Sequence, residues 1–242
     1  MPLLPALATP LTRPLVFPRR ETRVPVSVTD VALRVPGAVL RGWVTHPDAP
    51  AAVVYLGGNA EEVGAQRGVL SEELPGHAVH LMAYRGYGAS SGRPSQRALV
   101  EDACAVVDEA ARRYPAHPVV VIGRSLGSGV AVQVAARRAL SALVMVTPFD
   151  SVAAVARDHA GRWGGLVADT FDSASLAPRV TAPVLVVRAG EDTVVRPART
   201  DALLAALPPG TQVVDLPQAD HANVLHAPGC WPAVRAFLGA EG

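Results

Sequence analysis

The chain of 242 residues predicts an α/β protein: a mostly parallel central sheet of about eight strands with helices on both faces. Three observations carry that expectation. Short continuous apolar runs recur, as at 52–56 (AVVYL), 118–122 (PVVVI) and 142–146 (ALVMV), which is how strands buried on both faces read. Segments with helical spacing separate them, so that strand and helix alternate. Half of the residues are hydrophobic and 18% are charged, enough apolar material for a core several layers thick.

In order along the chain, residues 24–28 and 39–44 predict an antiparallel opening pair connected through Pro36-Gly37. A strand at 52–56, a helix at 61–74 closing on Pro75-Gly76, and a strand at 79–83 follow. Then come a long amphipathic helix at 95–114, the strand at 118–122 and an apolar helix at 126–138. Strands at 142–146, 184–187 and 213–216, with helices at 199–206 and 231–238, complete the pattern. The stretch between residues 147 and 181 mixes Gly, Asp, Trp and Arg between two strands and predicts a short lid at about 148–181. Residues 1–22, broken by Pro2, Pro5, Pro10 and Pro14, read as an extended N-terminal arm, and residues 23–242 as a single domain.

Composition excludes several classes of function. With 22 basic and 21 acidic residues the formal charge is +1, so no basic excess exists to hold a nucleic acid. Every basic residue is Arg, and without Lys there is no Schiff-base amine, no Ser–Lys dyad and no phosphate-loop lysine. Cys104 and Cys230 lack metal-ligand spacing and read as free structural thiols, which argues against a structural zinc. No apolar run reaches the ~18 residues of a spanning helix and no positive segment precedes the N-terminal apolar stretch, so a cytoplasmic protein without an integral membrane span is expected. The sequence is silent on oligomeric state.

The chemistry concentrates around Ser125. Gly123-Arg124-Ser125-Leu126-Gly127 lies directly after a Val-rich strand and directly before an apolar helix, the context that makes G-x-S-x-G a nucleophile elbow. Gly at the flanking positions lets strand and helix cross closely, and the helix start turns free N–H groups toward an oxyanion. A base has to follow in the chain order Ser, acid, His. Of His159, His221 and His226, the one in the loop after the last strand is His221; the others, with His46, His77, His80 and His117, read as surface or satisfied core residues. Two acids end consecutive strands, Asp192 in AGEDTVV and Asp150 in TPFDS. Asp192 is favoured because Gly190 and Pro197 bracket a tight loop, while Asp220, next to His221, reads as a turn residue. Oxyanion donors are expected from the backbone N–H of Leu126 and, in the Gly57-Gly58-Asn59-Ala60 loop, that of Asn59.

YLGGNAEEV (55–63), YRGYGASSGRPS (84–95), IGRSLGSGVA (122–131), TPFDSV (147–152), PVLVVRAGEDTVV (183–195) and ADHANV (219–224) together resemble an α/β-hydrolase, in particular the small-lid serine hydrolases that include protein depalmitoylases. The resemblance implies an α/β-hydrolase fold, Ser125 as nucleophile, Asp192 as acid, His221 as base and no cofactor. Where many of those relatives carry His-Gly before the oxyanion Asn, this chain carries Gly57-Gly58. The short lid points to an open cleft for a small or medium acyl ester, with Gly58 beside it; Trp163, Leu166, Val167 and Phe171 read equally as lining its acyl pocket or as packing the lid onto the sheet. Arg124 and Arg85 read as solvated surface arginines, or else as rim residues facing an anionic substrate group. The expected reaction is carboxylic-ester hydrolysis through an acyl-enzyme. A thioesterase or depalmitoylase, a peptidase, an acyltransferase and a non-catalytic binding module are the alternatives.

Overall fold

The computed structural model describes residues 17–18 and 22–240. Its centre is one eight-stranded sheet: β1 (Val31–Val35), β2 (Ala38–Thr45), β3 (Ala51–Leu56), β4 (His77–Met82), β5 (Val120–Arg124), β6 (Ala142–Val146), β7 (Val184–Ala189) and β8 (Gln212–Leu216). The spatial order is β1-β2-β4-β3-β5-β6-β7-β8. β2 pairs antiparallel with both β1 and β4, and every other pairing is parallel. Among the described residues five α-helices lie between strands, α1 (Arg67–Glu73), α2 (Gln96–Arg113), α3 (Leu126–Ala135), α4 (Val152–Ala160) and α5 (Pro197–Leu204), and α6 (Cys230–Ala240) follows the last strand.

The strand order itself says where a site belongs. From β3 the chain runs outward to β4, then crosses back over β3 to β5 and continues the other way to β8. Connections leave the carboxyl ends of β3 and β5 in opposite directions, which opens the crevice that ligands use in such sheets. Those ends are adjacent, since Leu56 pairs with Gly123. The Gly57–Asn59 loop therefore starts one residue, and Ser125 lies two residues, beyond a pair of neighbouring strand positions.

The core follows from the apolar runs. Tyr55, Leu81, Ile122, Leu143, Met145 and Leu185 are fully buried along the central strands. β8 differs from its expected burial: as an edge strand it leaves Val213 and Asp215 exposed. α3 is buried along its whole length, which its small residues permit. Any Cβ on Gly127 would lie 1.9 Å from the Leu56 carbonyl oxygen. α2 starts where two side chains satisfy its free N–H groups: Ser95 accepts from Ala98 N at 3.3 Å, and Asp169 accepts from Gln96 N at 2.7 Å.

The opening strand lies seven residues later than expected. Residues 26–28 form a single 3-10 turn with Val26 and Val28 exposed, and β1 is Val31–Val35. Both stretches place a large aliphatic residue at every second position, VPVSV and VALRV. Only the second runs straight into Pro36-Gly37, so that Val35 faces Ala38 and the hairpin closes. The helix expected at 61–74 is likewise divided into a 3-10 turn (Val63–Gln66) followed by α1. Most of the arm expected at 1–22 lies outside the described residues. Phe17, which does not, is buried edge-to-face on Phe171 at 6.3 Å. No helix among the described residues is long and apolar enough to cross a membrane.

Both cysteines are buried and free, and burial pushes the Cys230 thiol up to about 12. His80, on β4, is buried edge-to-face on Tyr114, and its Nε2 has no partner, so it is not a satisfied core histidine. Burial, helped by the Arg113 charge, lowers it from 6.5 to about 4. The unfolded chain therefore takes up the proton more readily than the folded one. Stability from this residue is complete above pH 6.5 and declines as pH falls toward 4, by about 3 kcal/mol in all. Urea unfolding at a series of pH values is expected to show that slope, and His80→Leu to flatten it.

Candidate active site

Ser125 occupies the last step between β5 and α3. Its φ of 49° and ψ of −117° lie where L-residues are strained. Three contacts hold it there: its N–H donates to Val146 O at 2.9 Å, and its carbonyl accepts from Ser128 N at 2.8 Å and from Ser128 Oγ at 2.6 Å. The flanking glycines are required by packing, because a Cβ on Gly123 would lie 2.5 Å from Gly127 O. The turn raises the hydroxyl above the sheet at the start of α3. There the first N–H groups of the helix, that of Leu126 leading, have no partner within the helix itself.

His221 meets this hydroxyl from the loop after β8. Its Nε2 lies 3.0 Å from Ser125 Oγ and its Nδ1 lies 2.7 Å from Asp192 Oδ2. Asp192 lies in the loop after β7, with its side chain only 2% exposed. Its other oxygen, Oδ1, accepts from Val194 N at 2.8 Å and Val195 N at 2.7 Å, so the carboxylate is fixed on both sides. A carboxylate accepts; Nδ1 therefore carries the proton, and Nε2 is left to accept from the serine hydroxyl. Asp220 is the turn residue it was expected to be: Oδ1 accepts from Ala222 N and Asn223 N while its own N–H donates to Asn223 Oδ1. Asp150 points elsewhere, accepting from Arg199 Nη1 at 3.2 Å.

Above Ser125 opens a largely apolar cavity of about 460 Å³. Asn59 and Leu126, the two expected oxyanion donors, both line it beside the serine. Much of the remaining wall comes from α4 and the 3-10 turn after it (Gly161–Leu166): Val152, Val155, Ala156, His159 and Trp163, with Val167 beyond. Trp163 is thus on the wall, as expected, and 64% exposed at the rim. Phe171 is not. It is fully buried behind the site, with its Cβ beside Gly129, because the chain at 169–171 turns back to hydrogen-bond Gln96 at the start of α2. Gly58 lies against Ser125 without lining the cavity; a Cβ there would lie 3.5 Å from that of the serine.

Apart from Asn59, Ser125, Leu126, Trp163 and Val167, the wall residues were not anticipated. The signal was present: positions 152, 155, 156, 159, 160 and 163 share one helical face. His159, read as a surface residue, lies on that face and bonds through Nε2 to Val194 O at 2.8 Å, joining α4 to the Asp192 loop. His159 is exposed, as that reading has it, whereas Arg124 and Arg85 are not the solvated surface arginines expected. Neither is solvated: Arg124 pairs with Glu61 at 2.9 Å with side chains 13% and 6% exposed, and Arg85 pairs with the buried Asp102.

Comparison with known proteins agrees with this fold. The family described as serine aminopeptidase, S33, matches residues 47–176, over half of the chain. An uncharacterized protein of Mycobacterium tuberculosis is 34% identical over 214 residues, covering 84% of this chain and 75% of that protein. The lysophosphatidylserine lipase ABHD12 of Danio rerio is 30% identical over 174 residues, covering 62% of this chain and 44% of its own length. In three dimensions an esterase from Pyrococcus furiosus superposes with a TM-score of 0.74 over 88% of this chain and 92% of that one, at 20% identity, a likeness of fold. The chain belongs to the serine aminopeptidase S33 family, and so to the α/β-hydrolases. Within that superfamily its kin are hydrolases of the esterase and lipase kind.

Proposed function

We propose that the protein is a serine esterase that cleaves carboxylic esters with small to medium apolar acyl groups through an acyl-enzyme. The observation that carries this reading is the hydrogen-bond chain from Asp192 through His221 to Ser125 beneath an apolar cavity. As Ser125 Oγ attacks the acyl carbonyl carbon, His221 Nε2 takes its proton and Asp192 stabilises the imidazolium. The N–H groups of Asn59 and Leu126 receive the oxyanion, each such donor contributing about 3 kcal/mol. Collapse expels the alcohol, which His221 protonates. Water activated by the same imidazole then releases the acid and restores the serine.

The cavity wall supports an acyl group over a peptide amine. An aminopeptidase has to pair its substrate's terminal ammonium with acceptors, usually a carboxylate. Among the described wall residues none is acidic, and Phe149, Val152, Val155, Trp163 and Val167 offer apolar surface instead. A p-nitrophenyl ester series from acetate to laurate tests the reading. Turnover is expected to peak at short or medium chains, and Trp163→Ala to raise KM for the longer esters severalfold, by loss of ~1–2 kcal/mol of apolar contact. Absence of turnover on every ester, together with an unreactive serine, overturns it. Faster cleavage of matched thioesters transfers the same machinery to a thioesterase.

A further inference from the structure

We propose that Glu61 and Arg124 form one buried strut that sets the oxyanion loop, the serine turn and the histidine loop relative to one another, making both of them positioning residues. This rests on the esterase reading above. Arg124 precedes Ser125 directly, and its two terminal nitrogens point in different directions. Nη1 donates to Glu61 Oε2 at 2.9 Å, and Nη2 donates to the backbone carbonyl of His221 at 2.7 Å. Glu61 divides its oxygens in the same way. Oε2 also accepts from Gly58 N at 2.5 Å, and Oε1 accepts from Tyr55 OH at 2.7 Å. A single ion pair thus ties the residue before the proposed oxyanion donor, the residue before the nucleophile and the backbone of the base.

The rest of the oxyanion loop is braced by the YRGYG segment. Tyr84 OH donates to Gly57 O at 3.0 Å and Tyr87 OH donates to Asn59 Oδ1 at 2.9 Å, with the two rings edge-to-face at 5.9 Å. Residues 57, 58 and 59 are therefore each held by a different side chain. Glycine at 58 belongs to this arrangement, since a Cβ there would lie 3.0 Å from Glu61 Oε2 and 3.1 Å from Arg124 Nη1. Glu61 also occupies the Gly58 N–H, which removes that group from service to an oxyanion and assigns the role to the next residue, Asn59.

The pair is poorly suited to serve stability alone. Buried ion pairs contribute little over apolar residues of the same shape, and Arg124 Nε is buried without any hydrogen-bond partner. What the pair does supply is geometry: a planar guanidinium can hold a carboxylate and a carbonyl at once, which an ammonium on a flexible stem cannot do. Displacements of about 1 Å in such a constellation cost on the order of 10²-fold in rate.

The test measures kcat, KM, thermal midpoint and fluorophosphonate labelling for the intact chain and for Glu61→Gln, Arg124→Lys and the double variant. Each single variant is expected to remain folded and to lose on the order of 10²-fold in kcat, with KM changed less than about threefold. The double variant is expected to lose no more than the worse single one, because both remove the same strut. Arg124→Lys keeps the charge opposite Glu61 and so decides the matter if Glu61→Gln does not fold. Retention of kcat within about threefold in Arg124→Lys, or a loss confined to KM, or additive losses in the double variant, overturns the strut. An unlabelled Ser125 in the unaltered protein would instead overturn the esterase reading itself.

Discussion

Ser125→Ala is expected to fold normally and to lower kcat by on the order of 10⁶, to the rate left by binding and oxyanion donors alone. The substitution removes only Oγ. The backbone contacts that hold the turn, from Ser125 N to Val146 O and from Ser128 N to Ser125 O, do not involve the side chain. Alanine accepts the φ of 49° no worse than serine does, so the thermal midpoint should change little. His221→Ala is expected to cost nearly as much, because without Nε2 nothing takes the proton as the hydroxyl attacks. Removing both should cost scarcely more than removing one, since groups that act as a unit are not additive. Labelling with a fluorophosphonate probe and peptide mapping provides the check: modification at Ser125 in the unaltered protein, and almost none in His221→Ala. Full turnover by Ser125→Ala would mean that the turn is only a turn.

How far the sequence reaches can be argued from particular residues. β5 and β6 were legible because strands buried on both faces read as short continuous apolar runs, and their shortness and flanking turn residues set them apart from a buried helix. Ser125 was legible because a close strand-to-helix crossing leaves room only for Gly at 123 and 127, a local constraint written in local residues. Three features were not legible. The alternation at residues 24–28 matches that at 31–35, and what separates them is whether a turn follows immediately, which is a property of the pair and of neither strand. The partners Glu61 and Arg124 are 63 positions apart, so that each alone reads as an ordinary surface charge. The apolar face of α4 declares that something covers it without declaring what. Here the face borders a cavity, whereas the same spacing on another helix packs on the sheet. Sequence pattern thus reports burial and local strain well. It reports partnership poorly, because partnership is settled by the strand order.

The choice between Asp192 and Asp150 puts that distinction to an experiment. Both follow consecutive strands and open at the same edge of the sheet, so the chain order Ser, acid, His accommodates either. Asp192→Asn is expected to lower kcat by ~10⁴, and the reason lies in its second oxygen. Oδ1 already accepts from Val194 N and Val195 N, so an asparagine would keep its carbonyl there and turn its NH₂ toward His221 Nδ1. Nδ1 would then have to accept, moving the ring proton to Nε2, where it faces Ser125 and blocks proton transfer from the hydroxyl. Asp150→Asn breaks only a contact with Arg199, which keeps Asp158 at 3.3 Å, and should leave kcat within about threefold. Steady-state kinetics on one ester for both variants decides between them. If Asp150→Asn is the crippling change and Asp192→Asn is mild, the imidazole takes its orientation from the earlier loop during turnover and the assignment of the acid is wrong. The expected order, a heavy loss at 192 and almost none at 150, follows from the hydrogen bonds that each carboxylate makes. Loop position alone cannot produce it.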